Sequence, residues 1–522
     1  VGGWSGDQSR LLRPGDRPAM KVQWLFLPMT WLLAPLSAIR RLSWRIHHPA
    51  TIAPWDVSWF RSTLRLVTGH ARTTVAPASS IATRTPCPPG GVVDGFTSPG
   101  WEPVRAAFEA NFAEGLELGA QLCVYKDGRA VVDLVGRSSK CEPADYDSET
   151  LQCIYSSGKV IEGVVVSMLV DRGLISFEDK IAAHWPEFGQ HGKGDVTVAQ
   201  LLRHEGGLAC LATPGHADEA AHDLTVTMAT VQDREALARL LASASRVPGW
   251  EKERVYNAVA RGWVLSALVE RVDGRSLGAF IRDEINAVLG VQVHAGVPLT
   301  EQQRARAPKM APLELPGGDF TMEVLVKPAL AGTGCPVFAA IIAVLASPGC
   351  AFERVMGCCK WITTQDGQSS PAVGNSPEGR GLEISSAGMH SNARSLARVC
   401  AAMATDGSVD GARLLSSREA CAAATSEHVA KMDVGLGFVS HLSPAGMADW
   451  GRLRGSTVDS ARQEADCQGF HGWGGWGGST CVWDPERGVA LAYVPTAMGP
   501  YIVGGPRTYR IMAAVQQCLS SL

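Results

Sequence analysis

The sequence predicts an α+β protein, an antiparallel sheet flanked by helices with a mostly helical region inserted between its strands. Three observations lead there. One hairpin pattern stands near the start of the globular part, a second stands near the C-terminus, and most stretches between them carry helical periodicity. Strands at both ends around a helical middle imply a sheet that joins both ends of the chain.

The elements follow in order. From Trp101 to Leu118 the apolar residues Val104, Ala107, Phe108 and Phe112 fall on one helix face, and Pro103 is acceptable in a first turn. Gln121 to Val135 reads as a hairpin turning at Asp127-Gly128. Thr480 to Trp483 and Val489 to Val494, joined through Asp484 to Gly488, read as the second hairpin, and Tyr509 to Leu519 as a closing helix. No repeat of solenoid type is visible.

Composition narrows the function. With 522 residues, 46% hydrophobic and 19% charged, the chain can bury a sizeable core. A net charge of -3 gives no reason to expect a nucleic-acid partner. The 14 cysteines are scattered, with Cys358-Cys359 the one adjacent pair, no C-x-x-C and no His/Cys cluster at zinc spacing. They read as buried free thiols, or as disulfides if the chain is exported, and neither a metal nor a cofactor is expected.

Residues 1–92 read apart from residues 93–522. The early stretch is rich in arginine, with Arg10, Arg13, Arg17, Arg40, Arg41 and Arg45 against Asp7, Asp16 and Asp56. It holds an apolar run, 22–39, at the lower limit for a membrane span, interrupted by Pro28 and Pro35. Met20-Lys21 suits the start of a signal peptide, and the flanking arginines suit an organelle transit segment equally well. Export, membrane association through 22–39, an organellar destination and an unstructured tail all stay open. Thr83 to Gly91 is a Pro/Gly linker and a boundary.

The chemistry centres on Ser156-Ser157-Gly158-Lys159, an S-x-x-K heading the apolar helical run Val160 to Gly173, closed by the glycine. Residues three apart share a helix face, so Lys159 stands beside Ser156. A serine at a helix start meets free backbone N–H groups and a dipole that favours negative charge. A lysine packed there loses its proton more easily and can take the serine proton. The plain alternative is a capping serine with a surface lysine, and the apolar character of the helix argues against it.

From about Gly95 the chain resembles the β-lactamase-related serine hydrolases: class C β-lactamases, penicillin-binding-protein-like enzymes and an esterase-like branch. The resemblance is carried in order by Gly95 to Arg105, the S-x-x-K, Asp171 to Ile181, Trp185-Pro186-Glu187-Phe188 and Val196 to His204. It continues through Val255 to Ala258, Gly262-Trp263, Val269 to Gly278, Ser386 to Arg398 and Gly435 to Phe438. It implies a β-lactamase/transpeptidase-like fold and a serine hydrolase acting through an acyl-enzyme on an ester or amide, with Ser156 as nucleophile and Lys159 as its partner. Ester, amide, β-lactam and peptide substrates stay open, as does the oligomeric state. The second motif is Tyr-x-Asn, or Tyr-x-x in the esterase-like branch. Tyr256-Asn257-Ala258 matches the looser form, which implies Tyr256 as the proton-relaying residue.

The third motif departs from the pattern of a basic residue, a small residue and glycine. This chain reads His471-Gly472-Trp473-Gly474-Gly475-Trp476-Gly477-Gly478-Ser479. Counted from one end, Trp473 takes the place of the cation; counted from the other, His471 keeps it and an insertion bulges the strand. The glycines, Gly475 among them, suit a strand that approaches a ligand closely. Trp476 would offer the second oxyanion N–H beside that of Ser156.

Two rival readings remain. Gly274-Arg275-Ser276-Leu277-Gly278 matches the nucleophile elbow of another hydrolase class, which needs a buried strand before it, whereas Ala260 to Arg271 is helical in pattern. Ser276 then reads as the cap of a helix over Leu277 to Ile285. The altered third motif and the segment from Thr300 to Gly379, where the resemblance is weakest, also fit an inactive scaffold that keeps the fold for binding. In the family this segment shapes the substrate pocket; otherwise it is core and loop.

Overall fold

The structure, a computed structural model, describes residues 89–217, 223–296, 311–312, 354–355, 375–436, 438–453, 466–499 and 504–521. It opens with strand β1 (Val92–Thr97), helix α1 (Glu102–Ala113) and the hairpin of β2 (Gly119–Lys126) and β3 (Arg129–Arg137). Helix α1 buries Val104, Ala107, Phe108 and Phe112, the positions that the spacing predicts. Strand β4 (Gln152–Cys153) leads to helix α2 (Gly158–Asp171). Helices α3 (Val198–Leu202), α4 (Arg234–Ser243), α5 (Ala260–Asp273) and α6 (Leu277–Phe280) follow. Then come β5 (Val293–His294), β6 (His390–Ser391) and α7 (Ala393–Ala404). The strands that complete the large sheet are β7 (Val429–Asp433), β8 (Phe438–Leu442), β9 (Ala448–Asp449), β10 (His471–Gly474), β11 (Thr480–Asp484) and β12 (Val489–Pro495), and helix α8 (Pro506–Ser521) closes the chain.

Nine strands form one antiparallel sheet in the order β1-β3-β2-β12-β11-β10-β9-β8-β7. Strand β12 pairs with β2 from Val489↔Lys126 to Pro495↔Ala120, so the two hairpins expected from the sequence meet at the centre of the sheet. Helix α7 lies across β12, β2 and β11, while α1 packs against α8. Every residue of β11 and β12 is buried, which explains why Val489 to Val494 reads as a continuous apolar run instead of alternating.

Helix α2 is buried from Gly158 to Leu169 and packs against both β10 and α5. A helix enclosed all round has no polar face to present, and this is the reason for its run of valines. A small sheet, β4-β6-β5, carries the chain into the turn ahead of α2.

Ser276 caps α6, its Oγ accepting from the Ala279 N–H at 3.2 Å, and the residues before it form α5. The elbow reading fails for that reason, since an elbow serine needs a strand before it. The helix expected over Leu277 to Ile285 continues past Phe280 as a wider π turn over Ile281–Asn286.

The nine described cysteines are buried and form no disulfide with one another. Among the described residues no helix is long and apolar enough to cross a membrane. The run 22–39, the linker up to residue 88 and most of the segment 300–379 lie outside the described residues.

Candidate active site

The nucleophile candidate sits on a constrained turn. Ile154 donates its N–H to the Met389 carbonyl at 2.9 Å, and a short 3-10 turn, Tyr155–Ser157, then feeds α2. Tyr155 has a φ of 45°, a conformation that costs a non-glycine residue roughly 1–2 kcal/mol. Its buried ring holds it there, edge-on to Trp476 at 5.5 Å, with its hydroxyl 3.6 Å from Met498 Sδ. The turn brings Ser156, 8% exposed, to the head of α2.

Two side chains converge on its oxygen. Ser156 Oγ lies 2.5 Å from Tyr256 Oη and 3.1 Å from Lys159 Nζ. The Lys159 Nζ also donates to the carbonyls of Ala258 at 2.9 Å and Ser386 at 2.8 Å. Burial strips water from this ammonium and pushes its pKa well below the ordinary lysine range; Arg261 pushes the same way and Glu162 opposes. A neutral amine has two N–H donors and one lone pair. When Nζ is neutral and both donors stay on the carbonyls, its lone pair is the group left to accept the Ser156 proton.

Tyr256 approaches from the loop before α5. Its N–H donates to Asp433 Oδ1 at 3.0 Å, at the end of β7, and the same oxygen accepts from Gly435 at 2.9 Å and Leu436 at 3.0 Å. Its ring lies 4.8 Å from that of His204 and stacks on Trp473 at 6.0 Å and 21°. Burial pushes the phenol up to about 12, against the Ser156 hydrogen bond and the Trp473 indole, so at neutral pH it keeps its proton.

Strand β10 closes the other side. A Cβ placed on Gly475 would stand 2.3 Å from Ser479 Oγ, 2.4 Å from the Ile154 carbonyl and 3.1 Å from the Ser156 nitrogen, so no side chain fits there. Ser479 Oγ ties the two segments, donating to the Ile154 carbonyl at 2.8 Å and meeting Ser157 Oγ at 3.0 Å. Among the described residues, the backbone N–H groups of Ser156 and Trp476 have no acceptor.

The structure thus brings together Ser156, Lys159, Tyr256, Trp473, Gly475 and Trp476. His471 stands apart: its ring stacks on His428 at 5.1 Å and 27°. The β10–β11 register runs without a break from His471↔Trp483 to Gly474↔Thr480. The bulge that would have carried His471 inward is absent, and the side chain on Tyr256 is Trp473.

Several contributors were not read from the sequence. Asn257 turns away from Ser156: its Oδ1 accepts from the Arg261 N–H and its Nδ2 donates to the Leu208 carbonyl, both at 2.8 Å. His204 Nδ1 accepts from the Asn257 N–H at 3.1 Å. Burial, with the charges of Arg261, Lys159 and Arg254, pushes the His204 pKa well down, so the imidazole is neutral. Glu162 and Arg261 are wholly buried behind Lys159 and pair at 2.9 Å. The spacing Ser156, Lys159, Glu162, on one helix face, was the signal available for the last of these.

The β-lactamase family model matches residues 107–516 of the chain. The esterase/beta-lactamase LipL of Mycobacterium tuberculosis (strain ATCC 25618 / H37Rv) is 27% identical over 414 residues, covering 78% of this chain and 83% of the relative. A penicillin-binding protein homolog from Caulobacter crescentus aligns with a TM-score of 0.63 and 28% identity, over 82% of this chain and 100% of that one. A family VIII carboxylesterase aligns with a TM-score of 0.64 and 25% identity, again over 82% and 100%.

Proposed function

The chain belongs to the β-lactamase family and is a serine hydrolase of small ester or amide substrates, and we propose that it works through an acyl-enzyme on Ser156, with Lys159 as base and Tyr256 as proton relay. The convergence of Lys159 Nζ and Tyr256 Oη on Ser156 Oγ carries this reading.

The Lys159 amine takes the Ser156 proton as Oγ bonds to the substrate carbonyl carbon. The carbonyl electron pair moves onto its oxygen, which faces the N–H groups of Ser156 and Trp476. When the intermediate collapses, the Tyr256 phenol protonates the departing alkoxide or amine and is reprotonated from Lys159. Water, activated by the same pair, then releases the acyl group and restores Ser156. Labelling with a fluorophosphonate and mapping the modified peptide tests the assignment: modification on Ser156 is expected, and modification elsewhere, or none, overturns it.

Tyr256→Phe should keep the ring stack and lose the relay, lowering turnover of a neutral ester by on the order of a hundredfold or more. An unchanged rate would leave Tyr256 as packing alone.

Trp473 supplies the substrate preference. Where the family pattern has a cation, this chain has a buried indole with no charge. A carboxylate brought against it would lose water without gaining a counter-ion, a penalty of several kcal/mol. We therefore expect kcat/KM for a neutral ester to exceed that for a carboxylate-bearing analogue of similar size by at least about tenfold, since each factor of ten needs only about 1.4 kcal/mol. Preference for the carboxylate, lost in His471→Ala, would return the cation's role to His471.

A further inference from the structure

The mechanism above uses Lys159 and leaves unexplained a carboxylate buried one helical turn further on. Ser156, Lys159 and Glu162 are spaced three apart from the 3-10 turn into α2, and Glu162 is 0% exposed. Burying a carboxylate is costly unless it is paired and hydrogen-bonded, and Glu162 is both. Its Oε1 accepts from the hydroxyls of Ser385 and Ser386, each at 2.7 Å, and its Oε2 lies 2.9 Å from Arg261 Nε. Arg261 in turn donates to the Lys159 carbonyl at 3.1 Å and to the Leu202 carbonyl at 2.8 Å.

These contacts lead back to the amine. The two carbonyls on which Lys159 Nζ sits belong to Ala258 and Ser386. Ser386 is bonded through its hydroxyl to Glu162, whereas the Ala258 segment is held by backbone, the Arg261 N–H donating to Asn257 Oδ1. A Cβ on Gly262 would stand 2.5 Å from Ser385 Oγ and 2.8 Å from Glu162 Oε1, so the backbone of α5 rests directly on Glu162 and its serine partner. Resting on the assignment of Lys159 as base, we propose that Glu162 and Arg261 are positioning residues for it. The pair fixes the Ser386 seat of Nζ and presents the lysine with a carboxylate and a guanidinium of opposite charge.

The other titratable groups around Lys159 are Tyr256, whose ring centroid lies 4.9 Å from Nζ, and His204, which is held neutral by burial. With these unchanged, removing one member of the pair unbalances the field in a known direction. Arg261→Gln leaves the Glu162 carboxylate uncompensated. It then favours the ammonium, and the acid limb of the kcat/KM profile for a neutral ester should move up by about one pH unit or more. Below the displaced limb, the rate should fall about tenfold for every pH unit by which the limb has moved. Glu162→Gln can keep bonds to both serine hydroxyls but leaves Arg261 uncompensated, so the limb should move down. Arg261→Lys keeps the charge and should return the limb to the wild-type position even where kcat is reduced.

A purely structural role predicts a lower rate with an unmoved limb in every variant, or a displacement of the same sign in both neutralising variants; either result overturns the proposal. Should Arg261→Gln fail to fold by circular dichroism, Glu162→Gln and Arg261→Lys decide it: a downward displacement in the first with none in the second supports the proposal, and any other pattern overturns it. Fluorophosphonate mapping of the wild type separates the premise from the inference. Absence of label on Ser156 removes the assignment of the base and this proposal with it, whereas label on Ser156 with an unmoved limb overturns the proposal alone.

Discussion

Ser156→Ala is expected to lose all fluorophosphonate labelling and nearly all hydrolysis of a neutral ester, with the fold intact. The size of the effect follows from chemistry. Without Oγ there is no atom to bond to the carbonyl carbon, and the amine of Lys159, held by the carbonyls of Ala258 and Ser386, is directed at the place where Oγ was. The two oxyanion N–H groups would remain, so a residual rate above the uncatalysed one is consistent with the reading, but a covalent adduct is not. Structurally the change is mild. Ser156 gives up its bonds to Tyr256 and Lys159, and its N-terminal position on α2 does not depend on a side-chain cap, since neither turn nor helix has one. Circular dichroism and a melting curve close to wild type are expected. A folded Ser156→Ala protein that still labels would move the nucleophile elsewhere and end the proposed mechanism.

How much of this was legible beforehand depends on the range of the interaction. The S-x-x-K was readable because both residues lie on one helix turn and the helix that follows is too apolar to be a surface helix. The two hairpins were readable because alternation and turn residues are local. Strands β7, β8 and β9 were not: Val429–Asp433 is largely exposed and mixes lysine and aspartate with apolar residues, so it shows no burial pattern to read. Asp433, which accepts the Tyr256 N–H, was beyond reach for a different reason: 177 residues separate the partners, and nothing local marks the aspartate. The third motif was an ambiguity that only register could decide. Side chains alternate along a strand, so His471 and Trp473 project on the same face, and without pairing partners no count could say which of them meets Tyr256. Glu162 was in plain view as an acid in the middle of an apolar helix, and its meaning depended on Arg261, 99 residues downstream on another helix.

Lys159→Ala is the second large effect, expected to lower kcat on the order of a thousandfold or more while leaving Ser156 able to react slowly with a fluorophosphonate. A serine hydroxyl without a base is a weak nucleophile, and removing a positioned acid–base group costs about 10²–10⁴ in rate. No described neighbour is placed to take over. Tyr256 is within 2.5 Å of Oγ, but its phenol is pushed up to about 12 and holds its proton at neutral pH. His204 is neutral and could accept a proton, yet its Nδ1 is occupied by the Asn257 N–H and its Nε2 lies 3.4 Å from an Arg261 donor. The variant should therefore also lose the acid limb that Lys159 gives the wild-type profile. Its buried site, lined by the carbonyls of Ala258 and Ser386, is shaped for an amine, so a small primary amine in the assay is expected to restore part of the rate. Rescue should grow with the fraction of unprotonated amine and should be absent in Ser156→Ala. A Lys159→Ala protein with near wild-type turnover would transfer the base to another group and leave the buried lysine a structural role alone.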